Sequence, residues 1–381
     1  MQMSETVHLR GMTWDHSRGF DPMLATSTRF GEMRPGVEIT WEKRSLQAFA
    51  DRPIGEMAAA YDLMVIDHPH VGEVAGSGHL AAFCELGHDK ELAMLAQQSV
   101  GLSHPSYNFD GKQWGLAIDA ATPVAAYRRD LLDAAPTRWD DVVALAKQDR
   151  VGLALIPINT LMTFFGFARN RDWAVAENKN VLMDRDHAAE CLDTLREIAA
   201  LVDPCCLRLD PIGIYDWMGS TVDAPAYSPF GYGYTNYCRD GYCRFPLHFA
   251  DAPGFDDNGP RGTVIGGTGI AVSSQCKHLD VAADYAFWIA GAACQEGLFF
   301  ESGGQPGNAV AWDSDLTNAA SRDFFRNTRA TLESVWLRPR YDGYMGFQKD
   351  GGNILHACLR GETTASATLN ALDAAYRKSR L

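Results

Sequence analysis

The sequence predicts an α/β protein of about two domains. Three observations carry this: strand–helix–strand–helix–strand alternation over the first hundred residues, a second α/β pattern starting near residue 120, and a length of 381 residues against roughly 150 per domain. Hydrophobic residues make up 46% and charged residues 22%. Those are the proportions of an ordinary globular chain, which excludes disorder, collagen and coiled coil for the whole. The 34 basic and 48 acidic side chains leave a net charge of −14. That balance argues against a general binder of nucleic acid or of anionic membranes, whose affinity comes from clustered Lys and Arg.

Residues 7–11 read as the first strand. Asp21 stands where a cap is needed and Pro22 suits a first helical position, so the next element is a predicted helix over 22–30. Residues 37–41 alternate apolar and polar, the pattern of a half-buried strand. Leu46, Phe49, Ile54, Met57 and Ala58 give a helical face interrupted by Pro53. Residues 63–66 are a continuous apolar run ending in Asp67, as expected of a strand buried on both faces. Ligands of open α/β sheets sit beyond the carboxyl ends of the strands. That rule puts Trp14, Asp15 and His16, then Arg44 and Ser45, then Asp67, His68, Pro69 and His70 on one rim.

Residues 115–119 and 123–127 are two short strands that lead into the second pattern. A helix over 139–147, a strand over 151–156 and a helix over 159–169 follow. In 187–202, Leu192, Leu195, Ile198, Ala199 and Val202 fall on one helical face. Residues 203–262 are rich in Pro, Gly and Tyr and read as loops with short elements. Strands return at 263–265 and 270–272, split by Gly266-Gly267-Thr268-Gly269, and the chain is mostly helical from Leu279 onward.

Catalytic and nucleotide signatures fail. There is no G-x-x-x-x-G-K-[ST], and the glycines at 266–269 do not complete G-x-G-x-x-G. Gly76-Ser77-Gly78 lacks the first glycine of a nucleophile elbow, since position 75 is Ala. Asp67-His68-Pro69-His70 and the set Cys238, Cys243 and His248 contain metal-ligating types. The two histidines would not converge from a regular strand, and the second set lacks a fourth ligand. No metal and no cofactor is therefore expected. Nine cysteines suggest buried thiols, although Cys238 and Cys243 could pair across a loop and Cys205 adjoins Cys206. Residues 1–8 lack the basic and apolar regions of a secretory signal, and no run reaches the ~20 apolar residues of a spanning helix. Aromatics carry more information. Trp14, Trp114, Trp217, Tyr232, Tyr234, Tyr341 and Tyr344 fall beside Asp, Asn, Arg or Gly. A flat apolar face next to hydrogen-bonding groups suits a polyhydroxylated or planar polar ligand.

Several segments are similar to those of a known family. Residues 114–132, from Trp114-Gly115-Leu116 through Ala126-Tyr127-Arg128-Arg129-Asp130-Leu131-Leu132, resemble the first crossover of bacterial extracellular solute-binding proteins of the sugar-binding type (family 1), the receptors of ABC importers. Residues 266–273 resemble the family's return strand, and Lys277-His278-Leu279 to Ala290 its following helix. Glu296 to Gly304, then Gln305-Pro306-Gly307, resemble the crossover into the C-terminal helices. The order and spacing of these motifs cover nearly the whole chain.

The resemblance implies a two-lobed, periplasmic-binding-protein-like (type II) α/β fold with a hinge and an interlobe ligand cleft. Lobe one would be 1–119 plus 263–312, and lobe two 120–262 plus 313–381. The implied function is a substrate-binding protein of an ABC importer, taking a sugar, polyol or sugar acid between lobes that close on it. It implies a monomer that meets a membrane permease in the periplasm, binds no nucleic acid and has no catalytic residue. Trp14 and Trp217 would stack on the ligand. Asp15, His16, Asp67, His68 and Asp119 would bind hydroxyls, and Gly267 and Thr268 would offer contacts at the hinge. Arg338 and Arg340, with Tyr341 beside them, would fork onto a carboxylate. The alternative is a cytoplasmic sensor, or an enzyme using the same cleft with Asp67, His68 and Asp119 as acid–base groups.

Overall fold

Strand β1 (Val7–Trp14) runs parallel to both β2 (Val37–Arg44) and β3 (Leu63–Asp67). The computed structural model describes residues 6–44 and 54–381, so Ser45, Leu46, Phe49 and Pro53 lie outside the described residues. Two units emerge, each built from two stretches of chain. Unit one is Met1–Ala120 with Gly266–Thr317, and unit two is Ala121–Ile265 with Asn318–Leu381.

Unit one is organised on a five-stranded sheet. Its further strands are β4 (Leu116–Ala117) and, after the whole first stretch of unit two, β8 (Thr268–Val272). The order is β2-β1-β3-β8-β4, with β8 antiparallel to both of its neighbours. Leu63, Met64, Val65 and Ile66 are all withdrawn from water, which explains the unbroken apolar run of β3. Their burial continues through Leu9, Met12, Ile270, Ala271 and Val272 into one core under the helices. Helix α1 (Ser17–Met33) starts five residues before the expected position. His16, not Asp21, is the cap: its Nδ1 accepts the backbone N–H of Arg18 at 3.0 Å. Pro22 consequently lies inside the helix, which forgoes the one hydrogen bond that proline cannot donate.

Unit two has a three-stranded antiparallel sheet in which β5 (Pro123–Tyr127) is flanked by β6 (Tyr227–Tyr232) and β7 (His248–Ala250). Its long helices include α2 (Pro157–Asn170), α3 (Arg185–Leu201), α4 (Pro211–Ser220), α5 (Tyr344–Leu359) and α6 (Ala365–Ser379). Helix α2 buries Leu161, Met162, Phe164, Phe165 and Phe167 almost completely, so it forms the centre of the helical layer and packs against α5. Asp184 caps α3 by accepting the N–H groups of Asp186 and His187. Two expected strands are reduced to single bridges. Residues 151–155 are buried as an apolar run should be, yet only Val151 pairs, with Tyr227. Pro157 opens α2 immediately afterwards and ends the extended run. Residues 263–265 likewise contribute only the Val264–Trp336 bridge.

All nine cysteines are free thiols and most are buried, as expected, and the Cys238–Cys243 pairing that the spacing allowed is not formed. No described helix is long and apolar enough to cross a membrane.

Candidate functional site

The carboxyl ends of β1, β3 and β4 and the amino end of β8 lie at one end of the unit-one sheet, because β8 is antiparallel to β3 and β4. This geometry gathers most of the unit-one candidates. Thr268 stands opposite Asp67 in the ladder, and Asp119 and Thr268 exchange backbone hydrogen bonds of 3.0 and 3.1 Å. His68 begins a 3₁₀ turn (His68–His70) directly after Asp67, so this segment is not the regular strand assumed for its histidines. The His68 ring meets the Tyr107 ring edge-on at 6.3 Å, and the Tyr107 hydroxyl donates to the Ile66 carbonyl at 3.1 Å.

Gly267 has φ +90°, and a Cβ there would lie 2.3 Å from the Asp119 carbonyl oxygen. Only glycine fits that turn without displacing the backbone. It brings the β8 start against the segment that follows β4.

Arg18, which the sequence reading missed, dominates the chemistry of this rim. Its Nε and Nη2 donate to Oδ2 and Oδ1 of Asp119 at 2.7 and 2.5 Å, and the two side chains are 4% and 1% exposed. Burial pushes the Asp119 carboxyl above its ordinary range and nearby Asp67 adds to the rise, while Arg18 pulls it down. Asp119 was expected to bind ligand hydroxyls directly. Both its oxygens instead serve Arg18, whose planar fork they hold. No local sequence signal marks Arg18, since its partner is 101 residues away.

Three other expectations change. Trp14 was expected to offer a stacking face, but it belongs to the hydrophobic core and is 5% exposed. One face of its ring is covered by α1 at Gly19, where a Cβ would come within 2.3 Å of the indole. Asp15 is exposed and paired with Lys43 at 2.7 Å. His16 is spent in part on the helix cap.

The unit-two candidates form a second group. Arg338 is buried, and its Nη1 donates to Gln348 Oε1 at 2.6 Å. It lies close enough to Tyr344 for its charge to oppose the upward push that burial gives that phenol, and Tyr232 and Tyr341 belong to the same neighbourhood. Burial lowers the pKa of Arg340 below its ordinary value. Tyr341 is committed to the fold: its hydroxyl and Ser379 Oγ share a 2.7 Å hydrogen bond, and Arg380 sits over its ring at 3.7 Å. Its hydroxyl is thus engaged within unit two. Trp217 is half-buried on α4.

No protein-family model matches the chain. An arabinooligosaccharide-binding protein of Halalkalibacterium halodurans is 23% identical over 252 residues, in an alignment that covers 61% of this chain. The chain spans 56%, little more than half, of that relative's length. Among solved structures, maltose-bound T. maritima MalE3 superimposes with a TM-score of 0.82 at 14% identity, covering 98% of this chain and all of the other. An ABC substrate-binding protein from Listeria monocytogenes in complex with cycloalternan gives 0.81 at 15% identity, over 98% and 99% of the two chains. A solute-binding protein from Agrobacterium radiobacter K84 in complex with ribitol gives 0.80 at 16%, again over 98% and 99%. The chain has the two-lobed α/β fold of the MalE-type binding proteins.

Proposed function

We propose that the chain is the substrate-binding protein of an ABC importer for a sugar, a polyol or a short oligosaccharide. The observation that carries this is the likeness over nearly the full chain to solute-binding proteins holding maltose, cycloalternan and ribitol. The sequence relative, an arabinooligosaccharide-binding protein, points to the same class of ligand. On this reading the protein works outside the cytoplasmic membrane as a monomer, delivers its ligand to a permease and turns nothing over.

The residues we assign to the ligand in unit one are Asp67, His68 and Thr268, with backbone groups at Gly267. Arg18 and Asp119 act together as a charged pair that keeps this rim in place. In unit two we assign Trp217 as the stacking ring and Arg338 and Arg340 as donors to hydroxyl or carboxylate oxygens. Polyols suit such a set, since each hydroxyl both donates and accepts and each C–H face can lie on an aromatic ring.

A thermal-shift and calorimetric screen over maltose, ribitol, arabinose, arabinooligosaccharides and sugar acids tests the proposal. A ligand at 100 times its dissociation constant adds about 2.7 kcal/mol to stability. Expected is a saturable shift with one of these ligands, recovered chemically unchanged. No shift with any of them, or accumulation of product, overturns the proposal.

A further inference from the structure

Unit two contains a concavity at the opposite end of β5 from Pro123. It has a volume of about 810 Å³, and every residue lining it belongs to unit two. Three arginines stand in its lining against two carboxylates, in a chain of net charge −14. Arg129, Arg322, Arg326, His248 and Tyr127 line it, against two carboxylates, Asp251 and Asp323.

Both carboxylates are engaged. Oδ1 of Asp251 accepts the backbone N–H and the hydroxyl of Thr331 at 2.8 and 2.6 Å. Asp323 Oδ1 accepts from Arg326 at 3.2 Å. Arg322 is held as a fixed arm, donating to the Cys238 carbonyl at 2.6 Å and to Asp240 at 2.5 Å. Arg322 and Asp323 also occupy consecutive left-handed backbone positions, with φ of 52° and 58°. Non-glycine residues take that conformation at a cost, so this turn is held by its surroundings.

The opposite wall is different. The side chains of Arg129, His248 and Tyr127 have no hydrogen-bond or ion-pair partner among the described residues. Tyr127 and His248 face one another across the β5–β7 ladder, their ring centroids 5.6 Å apart. Burial first, and then the charges of Arg322 and Arg129, hold His248 below its ordinary pKa. An oxyanion fills the donors that this wall leaves idle. The volume suits an organic molecule better than a bare inorganic ion.

We propose that this cavity is a second ligand site, separate from the solute site, for a small organic polyanion bearing carboxylate or phosphate groups. Arg129 supplies the free fork, Arg322 the fixed positive charge, and Tyr127 and His248 neutral hydrogen-bond donors. The proposal stands whether or not the transport reading is right, because no residue is shared between the two sites.

Isothermal titration of the full chain with citrate, inorganic phosphate and glucose 6-phosphate, at ionic strength matched with sodium chloride, tests it. Expected is saturable one-to-one binding of at least one of these anions. Arg129→Gln weakens it about tenfold or more, and Arg129→Lys, which keeps the charge but loses the fork, falls between. Arg129 is exposed, so both variants fold, and their thermal shift with the solute ligand stays that of the parent. Heat no greater than that of sodium chloride overturns the proposal, as does binding indifferent to Arg129→Gln. Sedimentation with phosphatidylglycerol vesicles in the absence of free-anion binding overturns it too, and assigns the patch to a membrane surface.

Discussion

Arg18 in the first turn of α1 and Asp119 after β4 form a two-pronged ion pair that is almost wholly out of water. A buried charge pair of this kind adds little over a well-packed apolar pair, yet removing one partner strands the other. Arg18→Met therefore costs roughly 3–5 kcal/mol of stability. The double variant Arg18→Met with Asp119→Leu recovers most of that loss. Denaturant unfolding of the four proteins gives the coupling, and simple additivity of the two single losses would rule out a direct pair.

Gly267→Ala introduces a methyl group where the Asp119 carbonyl already stands, at a backbone angle L-residues rarely adopt. A loss of roughly 1–3 kcal/mol or more is expected, read as a lower melting temperature. An unaltered melting temperature would show that the turn can rearrange freely.

Trp14 separates packing from recognition. Trp14→Ala empties part of the unit-one core and costs about 3–5 kcal/mol. Trp14→Phe keeps much of the volume, so it melts closer to the parent and retains its response to the solute ligand. Loss of that response in a folded Trp14→Phe protein would return the indole to the binding site.

His104 gives a pH prediction. Burial lowers its pKa from 6.5 to about 4. In the unfolded chain the same group takes up a proton near pH 6.5, so between about 6.5 and 4 the unfolded state holds more protons. Stability therefore falls as pH drops through this window, by up to roughly 3 kcal/mol from this one group. Above pH 6.5 it adds no slope. Comparing the pH profile of unfolding with that of His104→Gln isolates the contribution, and parallel profiles would remove it.

What was legible in the sequence is what local patterns encode. The apolar run of β3 and the alternation of β2 mark strands because burial on two faces or one leaves a direct trace in side-chain order. The start of α1 is not legible locally, because Pro22 is a strong signal for a first helical position whereas the real cap depends on the His16 ring turning back to Arg18. The likeness of 114–132 to a known crossover conveyed the fold because that segment must pass from one unit to the next. Site residues were harder. Asp67 and Thr268 do meet across a ladder, but the contact between Arg18 and Asp119 is a long-range event that leaves no mark near either residue. Trp14 looked available because it follows a strand, and only packing shows that α1 covers it.

The position of β8 between β3 and β4 bears on how the protein is made. A chain leaving the ribosome N-terminus first presents β1, β2, β3 and β4 with a seam open beside β3. The strand that closes the seam arrives only after residues 121–265 have been synthesised. Until then the unpaired edges of β3 and β4 are templates for any other extended segment. Unit one is thus finished by its last stretch.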